Sequence, residues 1–384
     1  MTVSEVQTDE DLRRREFPVT RDKIFLAHAG VCPLPRRVAA AIADCAARST
    51  LGDQEEFMLS SLERARELAA RLIHCQAPEI ALVGPTSMGL SFVAAGLKFT
   101  RGDNVLIYHD DYPANVYPWM SLAERNVEVR LLNTRGLGMI RARDVCGQID
   151  ENTRLVALAS CHFISGFRIE IGEIGKQLRE RGILFCLDAI QTLGAFPTTV
   201  EHVDFLAADS HKWLLGPCGA GIFYARGGLQ ETLNPSVWGW HNILSPNFVA
   251  QEKIEFQKDA RKFEAGTHNL LGVSGLIAAL ELVLEVGVEN IATDLVRKRQ
   301  WLAPELEKRG FTVLNPTPAP ENQSGIIAFF AANRDMPSLH KKFHDAGIVA
   351  SPRVDRSGQN YIRISPHFYN TDDELRKVLG VLDS

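Results

Sequence analysis

Residues 204–224 read DFLAADSHKWLLGPCGAGIFY, and the lysine at position 212 decides how the rest of the chain is interpreted. An ordinary lysine is a solvated surface cation, because stripping water from an ammonium is costly. Here the short apolar run DFLAAD reads as a strand, Ser210 and His211 follow as hydrogen-bond donors, and Trp213, Leu214 and Leu215 wall the amine off from water. Such a wall lowers the pKa of Lys212 and leaves a nucleophilic amine, the group that forms a Schiff base with a carbonyl cofactor or substrate.

Upstream, GILFCLDAIQTLGA carries the continuous apolar run Ile183 to Leu187, which places Asp188 at the carboxyl end of a buried parallel strand, where open α/β sheets bind ligands. Asp188 also reads as a plain cap of a following helix. Gln191, three residues on, and Lys212, after the next strand, favour the ligand reading. Pyridoxal phosphate asks for this set: an aldehyde-bound lysine, a carboxylate to hold the pyridine nitrogen protonated, and donors for a phosphate. GPTSMGLSFVAAGL follows the strand EIALV, so that Thr86 and Ser87 open a helix whose free N–H groups suit an anion, or serve simply as its N-cap. In YIRIS, Arg363 offers a planar guanidinium suited to a carboxylate, or to a surface ion pair.

The strand candidates EIALVG, NVLIYH, VEVRLL, RLVALAS and ILFCLD are separated by helical stretches, which predicts an α/β fold with a mostly parallel, doubly covered sheet. With 384 residues, 45% of them hydrophobic, two packed domains are expected. The boundaries read as an N-terminal arm at 1–20, a large domain at 21–287 and a smaller α+β domain at 288–384. A net charge of −5 offers no basic patch for nucleic acid, and Arg13 to Arg15 read as a solvated helix or arm. Seven cysteines with no CxxC pair argue against a disulfide framework or a metal site and fit a reducing cytoplasm. Neither an export signal nor a charge-free stretch of membrane-spanning length is legible, so no membrane partner is expected.

Taken together, LDAIQTLGA, DSHKWLLGPCGAGIFY, FEAGTHN and YIRISPHFYNT resemble the class V aminotransferase group of fold type I pyridoxal-phosphate enzymes, from about Ile24 to the C-terminus. This group includes cysteine desulfurases and isopenicillin N epimerase-like proteins. The resemblance implies a large domain with a seven-stranded type of sheet. It also implies a homodimer with shared active sites, in which Thr267 reaches across the interface. Ser210 and His211 match phosphate contacts in related enzymes. Tyr112 matches the residue that stacks on the pyridine ring, with the amide of Asn115 nearby; an aromatic there also reads as core packing. Arg363 matches the anchor of the substrate carboxylate, which makes the substrate a small-molecule α-amino acid. His162 stands where relatives carry glutamine or asparagine near the cofactor's O3′, and reads either as a proton shuttle or as a packed histidine. His28, Trp240, His241, His367 and Arg353 are further pocket candidates.

Departures from the family pattern bear on the reaction. Cysteine desulfurases carry a loop cysteine before the anchoring arginine, and DAGIVASPRVDRSGQN has none; no cysteine follows Cys218, which reads as a small buried hydrophobe. Met88 stands where relatives often have an acid, and Ala27 where asparagine is frequent. The expected reaction is transamination or Cβ elimination without a persulfide relay. Epimerase-like racemisation and a non-catalytic cofactor-binding homologue are the alternatives.

Overall fold

The apolar runs of the sequence alternate between two cores on opposite faces of one sheet. The structure is a computed structural model that describes residues 1–54 and 59–383. The chain opens with two short helices, α1 (Val3–Thr8) and α2 (Glu10–Glu16), followed by α3 (Arg36–Arg48) and α4 (Leu59–Ile73). Next come β1 (Ile80–Val83), α5 (Thr86–Gly96), β2 (Asn104–Ile107), β3 (Glu128–Leu131), β4 (Thr153–Ala159), α6 (Ile171–Glu180), β5 (Leu184–Asp188), β6 (Phe205–Asp209), β7 (Gly221–Ala225) and α7 (Leu270–Val286). The C-terminal part holds α8 (Val288–Lys308), β8 (Thr312–Val313), β9 (Ile327–Phe330), α9 (Met336–Asp345), β10 (Ser351–Val354), β11 (Asn360–Ile364) and α10 (Asp372–Asp383).

Seven strands form the large sheet in the order β1-β7-β6-β5-β4-β2-β3. Strands β2 to β6 run parallel, whereas β7 is antiparallel to both β6 and β1. Val156, Leu158, Phe185, Leu187, Leu206 and Ile222 face one core; Leu155, Ala157, Cys186, Phe205, Ala207 and Phe223 face the other. This strict alternation is the period-two geometry of strands covered on both sides. Helix α5 can lie on the sheet because residue 89 is glycine: a Cβ there would come within 2.7 Å of the Ala207 Cβ. The N-terminus of α5 is thereby delivered to the end of β6, where the Asp209 N–H donates to Thr86 Oγ1 at 2.9 Å.

The smaller sheet is antiparallel, in the order β10-β11-β9-β8, and buries its apolar face with α8, α9 and α10. Ile24 and Phe25 pair with Ile348 and Val349, and Leu26 joins the core of the smaller sheet. The N-terminal arm is built from α1 and α2, and it packs on the body of the protein. Val6 is buried, the Phe17 ring stacks on Tyr369 at 4.1 Å, and Arg13, expected in solvent, is buried against Glu374 at 2.7 Å. These contacts join segments more than three hundred residues apart, so local periodicity could not reveal them. Among the described residues, no single helix is long and apolar enough to cross a membrane.

Candidate active site

Two acidic residues end adjacent parallel strands, Asp188 on β5 and Asp209 on β6, and Lys212 follows within a tight turn. In that turn the Leu215 N–H donates to the Lys212 carbonyl at 3.1 Å, and Leu215, fully buried, takes a left-handed φ of +60°. Such a conformation costs about 1–2 kcal/mol for a residue with a Cβ. The amine of Lys212 is buried and lies 5.2 Å from the centre of the Tyr112 ring. Burial pulls its pKa down to about 8, with Arg363 and Arg353 acting in the same sense and Asp188 and Asp111 opposing them. Asp188 accepts the Ile190 N–H at 3.0 Å; burial raises its pKa, while Lys212 and His211 pull it back. The expected lysine and carboxylate thus share one buried corner.

The adjoining corner gathers donors for an anion. Thr86 begins α5, Ser87 follows it half-buried, and Gly219 and Ala220 enter β7 close by. Asp209, which sequence reasoning passed over, organises this corner. Its Oδ1 accepts the N–H groups of Ser210 (2.8 Å) and Ala220 (3.1 Å), and its Oδ2 accepts those of Gly219 (3.0 Å) and His211 Nδ1 (2.7 Å). His211 is thereby fixed with its Nε2 outward. An acid placed directly before two donors at a strand end was the available signal. Ser210, fully buried, donates its hydroxyl to the Pro217 carbonyl at 2.7 Å, inside the turn. Cys218, expected to be buried, is exposed, since the turn carries it outward.

Thr267 lies on the loop before α7, where it lines a hollow of about 260 Å³ with Gly84, Met88, Gly219 and His268. Glu264 anchors this loop to β1: it accepts the Leu82 N–H at 2.7 Å and pairs with Arg66 at 2.6 Å and His268 at 2.9 Å. The ring of Trp240 lies 5.4 Å from that of His241, which in turn approaches Glu264. His241, Glu264 and His268 bring ligand-type atoms within 4.8 Å of one another, but the carboxylate oxygen they share already holds the Arg66 guanidinium. A cation would meet that positive charge.

Tyr112 is half-exposed above the lysine, with the Phe163 ring edge-on at 5.4 Å. Beneath it, Asp111 accepts from the Tyr112 N–H (2.7 Å), Asn115 Nδ2 (3.0 Å) and the Ala159 N–H (3.2 Å), and Asn115 accepts from Trp119 Nε1 at 3.0 Å. Asn115, expected to meet substrate, is a buried support of the Tyr112 loop. Burial, with Asp188 nearby, lifts the pKa of Asp111 to about 7. Of the two readings of His162, the contacts in the fold are those of a packed histidine. Its Nδ1 accepts the Ser165 N–H at 3.1 Å, its Nε2 donates to the Asp110 carbonyl at 3.0 Å, and burial depresses its pKa to about 4.

Arg363 is fully buried. It donates to the Phe163 carbonyl at 2.6 Å and faces Ser351 Oγ at 3.4 Å, and its Nε has no partner. Burial and the neighbouring Arg353 push its pKa well below the ordinary arginine value. His28 and His367 lie behind the lysine turn rather than in the pocket. His28 donates to the Ser365 carbonyl at 2.9 Å and accepts from the Tyr369 hydroxyl at 2.7 Å, while His367 donates to the Trp213 carbonyl at 2.9 Å. Gln191 accepts from Trp213 Nε1 at 2.9 Å and donates to the Ala29 carbonyl at 3.1 Å, so it braces the wall of the lysine.

A mainly parallel seven-stranded sheet with a buried lysine, a strand-end carboxylate and an anion corner defines a fold type I pyridoxal-phosphate enzyme. The family model for aminotransferase class-V matches residues 24–378, and the chain belongs to that family. A probable cysteine desulfurase of Methanothermobacter thermautotrophicus is 29% identical, covering 96% of this chain and 95% of the relative. The apo structure of a cysteine desulfurase from Thermococcus onnurineus superposes with a TM-score of 0.89 at 23% identity, covering 98% of this chain and 97% of that one. The cystine C-S lyase C-DES, in complex with its product cysteine persulfide, superposes with a TM-score of 0.87 at 21% identity over 95% of this chain and 98% of that one. Pyridoxal 5′-phosphate is the cofactor. The residues fit it: Lys212 would take the aldehyde, Asp188 would face the ring nitrogen, and His211 Nε2 with the α5 N-terminus would receive the phosphate.

Proposed function

We propose that the enzyme acts on an α-amino acid, with Lys212 as the cofactor-bearing amine and Arg363 gripping the α-carboxylate, by transamination or Cβ elimination without a cysteine relay. One observation carries this reading. Arg363 is a fully buried guanidinium with no carboxylate partner among the described residues, close enough to Lys212 to depress its pKa. A buried cation without an anion is costly to keep, and an incoming carboxylate relieves that cost while being held in a fixed orientation.

The bound cofactor supplies an electron sink for the charge left on Cα. Arg363 sets Cα beside Lys212, whose pKa of about 8 suits it to take a proton near neutral pH. Asp188 supplies the buried negative charge that the sink requires, and Tyr112 covers the pocket. If a Cβ substituent leaves, it departs as an anion with the Cβ–X electron pair and takes a proton from water; the alternative, attack of a loop thiolate on a substrate sulfur, lacks its nucleophile in the segment before Arg363, which has no cysteine. Racemisation needs a second acid on the face opposite Lys212. His162, the sequence candidate, has both ring nitrogens engaged, which leaves that reading second. A homodimer in which Thr267 completes the phosphate corner of the other subunit belongs to this reading, as does a cytoplasmic location, supported by seven free cysteines.

The test is an absorption spectrum of the purified protein before and after L- and D-amino acids, with keto acid, ammonia and sulfide assayed in the same tubes. The expected result is a visible band that one amino acid shifts and that the Lys212→Ala variant lacks. An unchanged spectrum in that variant would sink the assignment.

A further inference from the structure

Four side chains share one face of the β10–β11 hairpin. Ser351 pairs with Arg363 and Arg353 with Tyr361 in the antiparallel register, so Arg353 and Arg363 are diagonal neighbours across the two strands. Both guanidiniums reach the same gap. A Cβ on Gly30 would lie 3.7 Å from an Arg363 terminal nitrogen and 3.9 Å from one of Arg353. Like charges in such positions repel, and nothing on the hairpin neutralises them. Asp355, the nearby acid, accepts from Tyr361 at 2.8 Å and from Ser357 at 2.6 Å. Arg356 finds a carboxylate in Asp110, whereas Arg353, among the described residues, donates only to the carbonyl of its neighbour Pro352 at 2.8 Å. Among the described residues neither Arg353 nor Arg363 has an acidic partner. Lys212 lies near enough for both guanidiniums to act on its charge, and Arg353 is half-buried where Arg363 is fully buried.

We propose that Arg353 and Arg363 form a two-point anion clamp, and hence that the substrate is an amino acid carrying a second acidic group on its side chain. Arg363 takes the α-carboxylate and Arg353 takes the side-chain acid. A carboxylate, sulfinate or sulfonate satisfies the same two guanidiniums, since each presents coplanar or fan-shaped oxygens to a forked donor. The inference rests on Arg363 being the α-carboxylate anchor.

The test uses the cofactor-loaded enzyme and reads dissociation constants from the visible spectrum for L-alanine, L-aspartate, L-cysteine sulfinate and L-cysteate. The last three arms distinguish the acid. Binding of maleate and acetate, measured calorimetrically, gives a readout free of turnover. The diacid-to-monoacid affinity ratio should favour the diacid in the wild type and fall tenfold or more in Arg353→Gln, with partial rescue in Arg353→Lys. A ratio near one in the wild type, or one that Arg353→Gln leaves unchanged, overturns the clamp. Arg363→Met separates the two ideas: if it abolishes alanine binding while the Arg353 ratio is flat, only the clamp fails. If it leaves alanine binding intact, the anchor reading fails and the clamp falls with it.

Discussion

Replacing Arg363 by methionine should uncouple substrate binding from stability. The guanidinium is fully buried and, among the described residues, finds only the Phe163 carbonyl and Ser351 Oγ, with its Nε unpartnered. Hydrogen bonds to a charged group contribute roughly 1.5–3 kcal/mol each. Two parallel bonds to a carboxylate therefore amount to about 3–6 kcal/mol, and losing them should raise the amino-acid Kd by about 10² to 10⁴-fold. In the unliganded fold the balance runs the other way. An unneutralised buried cation, whose desolvation is costly, is replaced by an apolar chain of similar length, against about 1–3 kcal/mol for the Phe163 carbonyl left without its donor. Arg363→Met should thus match or modestly exceed the wild type in denaturant midpoint while failing to shift its spectrum with amino acids. A variant that unfolds far more easily yet binds amino acids as before would refute the anchor reasoning.

The cofactor-free protein should react with a simple aldehyde at Lys212 at a rate that rises with pH through about 8, because only the neutral amine attacks; Asp188→Asn, which removes the opposing negative charge, should move that midpoint lower, as read by mass-spectrometric labelling. Asp111 has its folded pKa raised to about 7, so its contribution to stability is fully present below its unfolded value and is lost as pH rises through about 7. Urea midpoints between pH 4 and 8 should show this decline, and Asp111→Asn should flatten it. Cys218→Ser should retain sulfur or keto-acid release with any active substrate, since its exposed thiol lies on the lysine turn and not before Arg363; loss of release would point to a relay after all. Glu264→Gln should weaken cofactor retention after dialysis, because it loosens the Arg66 and His268 contacts that hold the Thr267 loop against β1.

What the sequence determined by itself was whatever short-range pattern encodes. The apolar runs at 184–188 and 205–209 are long enough, and β-rich enough, to be buried parallel strands, so Asp188 and Lys212 had to emerge at one sheet edge. The glycine-proline and Thr-Ser opening of α5 likewise announced a helix N-terminus after a strand. Roles that depend on which partner a polar atom finds were not legible, because those partners come from distant segments. His28 is consumed by Ser365 and Tyr369, His162 by the Asp110 carbonyl, and Asn115 by Asp111 and Trp119, and each looked equally able to meet a ligand until the chain closed around it. The same holds for Asp209, whose carboxylate gathers four donors only once the turn at 210–220 folds back onto it. Arg353 and Arg363, ten residues apart, share a gap because antiparallel register puts them on one face, while Gly30, more than three hundred residues earlier, leaves that gap open. Local periodicity fixes where the strands end; only tertiary packing decides which side chains at those ends remain unsatisfied, and it is the unsatisfied ones that are left to bind.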